Sequence, residues 1–332
     1  MASNLKNPMI KIKLMLFILI LSTICGCKKK ESTAKIEREN WWLWSANWSS
    51  NGEQIAFGGT QDTLRLFSSA TNSIVENVPI QGTITKTEWH PSKNKLAISI
   101  QDGKNKSLIL NLETKKRILL DRIDENGARA IGWNKNGELL AVGDYSGFLN
   151  IYNEDGELLK RINTKQKALI ALHWHPKNNI IAAVGEKISV YNFENDTLFD
   201  VKPRKEEVLM LCVAWHPSGE FFVTGDYGDF EKDYPPLLQF WTSKGKNLRN
   251  IENSKAEFRN MAWSNDGELL ATASEFLGLW NKKGDLIRKY DSENLLWGID
   301  WNNSDEKIVT SDDKGKIMIW EINLDTSIEL KY

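Results

Sequence analysis

The chain has 332 residues, a formal net charge of −1, 41% hydrophobic residues and 26% charged ones. That charge balance excludes a strongly basic nucleic-acid binder, and the hydrophobic fraction excludes both a disordered chain and a polytopic membrane protein. Fourteen Trp against four His and three Cys point to a recurring structural position for Trp and weaken any histidine-rich metal or proton-transfer centre.

Residues 1–13 carry Lys6, Lys11 and Lys13 and no acid, and residues 14–24 are apolar apart from Ser22 and Thr23. A basic start followed by an apolar run too short to span a bilayer reads as an export signal. Ile24-Cys25-Gly26-Cys27 follows. It resembles a bacterial lipobox, with an aliphatic residue three before and a small residue one before Cys27. The resemblance implies a signal peptide over 1–26, removed before Cys27, and a lipid on the Cys27 thiol. Cys212 is then the one free thiol, so the exported fold is stabilised by burial without disulfides. Residues 28–40 are charged and lack an apolar period, so 27–40 read as a tether. Lys28, Lys29 and Lys30 would each gain ~1 kcal/mol near anionic headgroups.

From residue 41 onward one pattern recurs. A Trp, a polar turn and an apolar run start at Trp48, Trp89, Trp133, Trp174, Trp215, Trp263 and Trp301, at intervals of 38 to 48 residues. A second run with period-two alternation ends at Phe67, Leu110, Tyr152, Tyr191, Trp241, Trp280 and Trp320. A third run follows, such as Leu158 to Ile162, and with the run leading into each Trp each unit holds four short strands. One such sheet cannot bury both faces alone. Seven stacked radially cover one another and leave only short edges. The expected fold is all-β, a seven-bladed propeller of four-stranded antiparallel blades over 41–332. Nothing apolar upstream of Trp44 can complete the last blade, so the segment Ser327–Tyr332 is expected as its outer strand.

Residues 41–332 resemble a WD-repeat β-propeller, best in the last unit, W-N-N-S-D-E-K-I-V-T-S-D-D-K-G-K-I-M-I-W-E. Two departures stand out. The Trp-Asp ending is never met, and no unit has His at the Gly-His position about nine residues before the repeat Trp. The family's Trp–Ser/Thr–His–Asp network is therefore incomplete in every blade, and blade packing should rest on aromatic burial.

Few residues offer catalytic chemistry. His90, His175 and His216 each sit in Trp-His-Pro, in matched turns that a ring holds apart, so they read as turn residues and not as metal ligands. A Ser-His-Asp triad has only His173 left to use. No phosphate loop or Cys pair is present in 41–332. The longest unit carries an acidic insertion, Gly225 to Pro236, in which Asp226, Asp229, Glu231 and Asp233 offer oxygen ligands for calcium but lack EF-hand spacing, so a solvated acidic loop is the preferred reading and calcium the alternative. No cofactor and no metal site is expected.

The resemblance also implies where a partner docks. In this family, residues four and six before the repeat Trp border one mouth of the channel. Four before stand Trp44, Thr85, Arg129, Ile170, Leu211, Arg259 and Trp297; six before, Trp42 and Leu295 flank the junction of the first and last blades. Asp144, Asp226, Glu275 and Asp312 are expected to rim the same face. The reading is a non-enzymatic, monomeric scaffold docking a protein or peptide there, without nucleic acid, tethered by lipid in a bacterial cell envelope. The alternatives are a propeller hydrolase or lyase with a channel-mouth site, and an envelope-assembly factor.

Overall fold

In the computed structural model, residues 41–101 and 106–332 are described. The expected signal segment, the Cys27 lipidation and the tether lie outside the described residues. Seven four-stranded antiparallel sheets follow one another, each hydrogen-bonded in chain order. In the first blade, β1 (Leu43–Trp48), β2 (Gln54–Gly59), β3 (Thr63–Ser68) and β4 (Ser73–Pro79) run from the axis outward. The first strands of the other blades are Thr83–Trp89, Ala128–Trp133, Ala171–Trp174, Met210–Trp215, Asn260–Trp263 and Leu296–Trp301. Every one ends on the repeat Trp. Each packs against the next, and the last packs against β1, so they line a central channel.

Burial follows position in the blade. The second strand of the third blade, Leu139–Asp144, is buried throughout, because sheets cover both of its faces. Its fourth strand, Leu158–Asn163, alternates between half-buried and exposed residues, as a strand with one solvated face should. Phe67, Leu110, Tyr152, Tyr191, Trp241, Trp280 and Trp320 are all buried between blades. Half of the family's network survives in three blades. Indole N–H groups of Trp241, Trp280 and Trp320 donate to Thr224, Thr272 and Thr310 at 3.0, 2.9 and 2.9 Å.

The Trp-His-Pro histidines occupy turns, as expected, and also clasp neighbouring blades. His90 Nδ1 accepts the backbone N–H of Ser92 and Lys93, which puts the ring proton on Nε2. Nε2 then donates to the Gly137 carbonyl of the next blade at 3.1 Å. His175 and His216 reach Gly219 and Gly267 in the same way, at 3.0 and 2.8 Å. Gly137 is required there twice over. Its φ is +74°, and a Cβ would fall 2.2 Å from the His90 ring.

The outer strand of the last blade is Thr326–Glu329, so among the described residues that blade is built from the C-terminal part of the chain. Closure rests on packing and a few hydrogen bonds. Ser311 Oγ donates to the Leu43 carbonyl at 2.8 Å, and Asp300 Oδ2 accepts the Trp48 N–H at 2.9 Å. Leu330 and Tyr332 cover Phe57 and Phe67, with the Tyr332 and Phe57 rings 4.9 Å apart.

Candidate functional site

In five of the seven blades the residue four before the repeat Trp sits at a backbone irregularity. The ladder between first and second strands shifts register between Leu43 and Ser45, Ile84 and Lys86, and Met210 and Cys212. It also shifts opposite Ala128 and between Leu296 and Ile299. Trp44, Thr85, Leu211, Arg129 and Trp297 therefore sit at bulges. A bulge carries one unpaired residue and re-aims its side chain. Here the side chains of Trp44, Arg129, Leu211 and Trp297 meet Ile170 and Arg259 around one narrow opening of the channel.

The aromatic cluster expected at the junction of the first and last blades is present. Trp42 stacks on Trp297 with centroids 5.8 Å apart, and Trp44 meets Trp297 at 4.5 Å. Two cations cover it. The Arg259 guanidinium lies 3.8 Å over the Trp297 ring, and that of Arg129 lies 5.1 Å over Trp44. Trp42 is 43% exposed, Trp44, Leu295 and Trp297 are half-buried, and Leu211 is buried. Burial lowers the pKa of both arginines from the ordinary value, and each further loses or gains by its neighbours: Arg259 opposes Arg129, while Glu257 supports Arg259.

The acids expected to rim this face lie at the same end but take another form. Asp144, Asp226 and Asp312 are buried, and their carboxylates hold turns together. Asp144 Oδ1 accepts the N–H of Ser146 and Phe148. Asp226 accepts the N–H of Gly228 and Leu237 and pairs with Arg204 at 3.2 Å. Asp312 accepts the N–H of Lys314 and Lys316. Glu275 accepts from Ser254 Oγ and the Lys255 N–H. These turns anchor the mouth: Tyr227 and Asp313 donate their N–H to the carbonyls of Leu209 and Leu295 at 2.9 and 3.1 Å. In the acidic insertion Asp229 caps a short 3-10 turn, Phe230–Lys232, and pairs with Lys232. Among the described residues no group of three or more His, Cys, Asp or Glu is placed to hold a metal ion.

A polar cluster not expected from the sequence lies at the other end of the channel. A cavity of about 610 Å³ there is lined in part by Lys86, Glu88, His173, Asn260 and Asp300. The available signal was the residue just before each repeat Trp. It is Asn47, Glu88, His173 or Asp300 in four blades and Gly132, Ala214 or Ala262 in the others. Lys86 Nζ and Glu88 Oε2 are 3.6 Å apart. Burial, and then the Glu88 carboxylate, push Asp300 up to about 8. Burial, and then Lys86, push His173 down to about 4; its Nδ1 accepts the Trp215 N–H at 3.1 Å.

A pH dependence follows from Asp300. An unfolded aspartate releases its proton near 3.8, while folded Asp300 keeps it to about 8. The folded chain binds more protons in that window, so this group's stabilisation is complete at low pH and is lost as pH rises through about 8. Urea unfolding of the Asp300→Asn variant should show a flatter loss of stability than wild type between about pH 4 and about pH 8, the interval between the two pKa values. Equal slopes would clear Asp300 as the source.

A family model described as WDR19 first beta-propeller matches residues 44–214, and one described as eukaryotic translation initiation factor eIF2A matches residues 162–299. The chain is similar to the F-box-like/WD repeat-containing protein TBL1X of Homo sapiens and of Macaca fascicularis. Each is 31% identical over 109 residues, covering 29% of this chain and 19% of the relative. It is also similar to the human U3 small nucleolar RNA-associated protein 18 homolog, 24% identical over 150 residues, covering 42% of this chain and 26% of the relative. The chain thus matches about a fifth to a quarter of the length of these relatives. With the first model matching more than half of its residues and seven four-stranded blades closing the ring, the chain belongs to the family of the WDR19 first beta-propeller, among the WD-repeat β-propellers.

Proposed function

We propose that the chain is a lipid-anchored, non-enzymatic scaffold outside the cytoplasm that docks a protein or peptide at the Trp42–Trp44–Trp297 mouth. WD-repeat propellers typically serve as protein-interaction scaffolds, which supports the general reading. The observation that carries the particular one is the cluster itself. Three indoles from the first and last blades gather under two arginines, with Trp42 43% exposed. Exposed apolar clusters of this kind mark contact sites, and Trp and Arg dominate binding hot spots. Arg129, Leu211, Arg259 and Leu295 complete the contact. The buried carboxylates of Asp144, Asp226 and Asp312, with Glu275, hold the turns on which it stands. The lipid reading rests on Ile24-Cys25-Gly26-Cys27.

Capture from envelope extract tests both parts. Replacing Trp42 and Trp297 together by Ala should weaken capture of a partner by about thirtyfold or more, as loss of a hot spot does. The melting temperature should move little. Cys27→Ser should release the protein from membranes while the purified domain still captures its partner. Capture unchanged in the double Trp variant would refute the site; unchanged membrane fractionation of Cys27→Ser would refute the anchor.

A further inference from the structure

We propose that the docked partner presents an acidic side chain, whose carboxylate enters this mouth and pairs with Arg129. The inference rests on the docking reading and adds the chemistry of what docks. Arg129, Arg204 and Arg259 are half-buried. Arg204 pairs with Glu206 and Asp226 at 3.1 and 3.2 Å, and Arg259 pairs with Glu257. Arg129 forms no ion pair, and its guanidinium donates no hydrogen bond, among the described residues; its one such contact is the Trp44 ring. A charge drawn out of water without a counter-charge is costly, and a guanidinium offers five donors in a fork that fits a carboxylate. The bulge between Ala128 and Ala130 places this group at the channel mouth.

The surroundings agree on the kind of group required. Arg259 repels the Arg129 charge, and the groups that favour it are Tyr145 and Cys212, neither of them a carboxylate. Trp44 Nε1, Trp297 Nε1 and Arg259 Nε are buried donors without acceptors. The opening between these side chains, Ile170 and Leu211 holds about 50 Å³, room for a carboxylate head. Above it the mouth is apolar on two sides, with Trp42 on the first blade and Leu209 and Tyr227 on the fifth all exposed. An acid flanked by apolar residues on an extended segment fits that arrangement.

The test uses a capped five-residue peptide with Glu at its centre between two Leu, a Gln version, and a Gln version ending in a free carboxylate. Calorimetry should give the Glu peptide at least about tenfold tighter binding than the capped Gln peptide, as a charge-assisted pair requires. Arg129→Gln should abolish that difference, and Arg129→Lys, which keeps the charge, should restore part of it. Thermal melts of both variants show that each is folded. Equal binding of the capped Glu and Gln peptides, or a difference unaffected by Arg129→Gln, would overturn the inference. Tight binding by the free-carboxylate Gln peptide alone would overturn the side-chain source in favour of a chain end. Absence of binding by all three would overturn the inference as well. If the peptides bind alike and all are lost in Trp297→Ala, the docking site stands and only its acidic chemistry fails.

Discussion

Trp215→Ala is expected to cost about 3–5 kcal/mol of folding stability, the range for emptying a buried aromatic site. Trp215 is 2% exposed and wedged between blades, with His175 4.7 Å and Phe222 4.9 Å from its ring. Its indole N–H has no acceptor, so the loss is one of packing and not of a hydrogen bond. The cavity would open among Val184, Val190, Val213 and Trp241, in strands that the ring holds too firmly to collapse. A fall in melting temperature of about 6 °C or more should result. Trp297→Ala is the control. Its ring lies against Trp42, Trp44 and Arg259 at the mouth, so stability should change far less. Equal drops in the two variants would put Trp297 in the core and remove it from the docking face.

Truncation after Asp325 is the second large effect expected. It removes the outer strand Thr326–Glu329 together with Leu330 and Tyr332. The strand itself is exposed, so its loss forfeits ladder bonds worth about 1 kcal/mol each. Leu330 matters more. It is 2% exposed and seals the junction of the last and first blades beside Phe57, Phe67 and Ile317, and emptying such a site costs about 2–5 kcal/mol. No segment of another blade replaces it, because every blade is built from consecutive strands. Chemical unfolding of the truncated chain should show a lower midpoint and a first phase in which the ring opens at Leu43. A midpoint equal to wild type would mean that closure depends on β1 and the Ser311 bond alone.

The features legible in the sequence are those that repeat. Trp spacing, period-two runs and the large residue closing each second run fix the seven blades, because every unit meets the same neighbours. The position four before each Trp was legible through family resemblance, and its physical cause, a bulge beside Trp44, Arg129 and Trp297, was not. Bulges leave no fixed residue signature. Features that depend on one blade meeting another were hidden. His90 looks like a turn residue until the Gly137 carbonyl of the next blade stands 3.1 Å from its ring. Asp144, Asp226 and Asp312 look like a charged rim, yet each is drawn under its own turn by backbone N–H groups. Glu88, His173 and Asp300 come from three different blades, so no local window shows that they share a cavity.

Partners meet the channel mouth at Trp42 and Trp297 if the docking proposal holds. Hydroxyl-radical footprinting of the protein, alone and on envelope membranes carrying its partner, tests it most directly. Oxidation of Trp42, Trp297 and Tyr227 should fall on those membranes, while half-buried Trp89 at the opposite end of the channel keeps its reactivity. Unchanged oxidation of Trp42 and Trp297, with protection at Trp89 and the neighbouring Lys135 and Lys177 turns, would contradict the account and move the docking face to the other end of the ring.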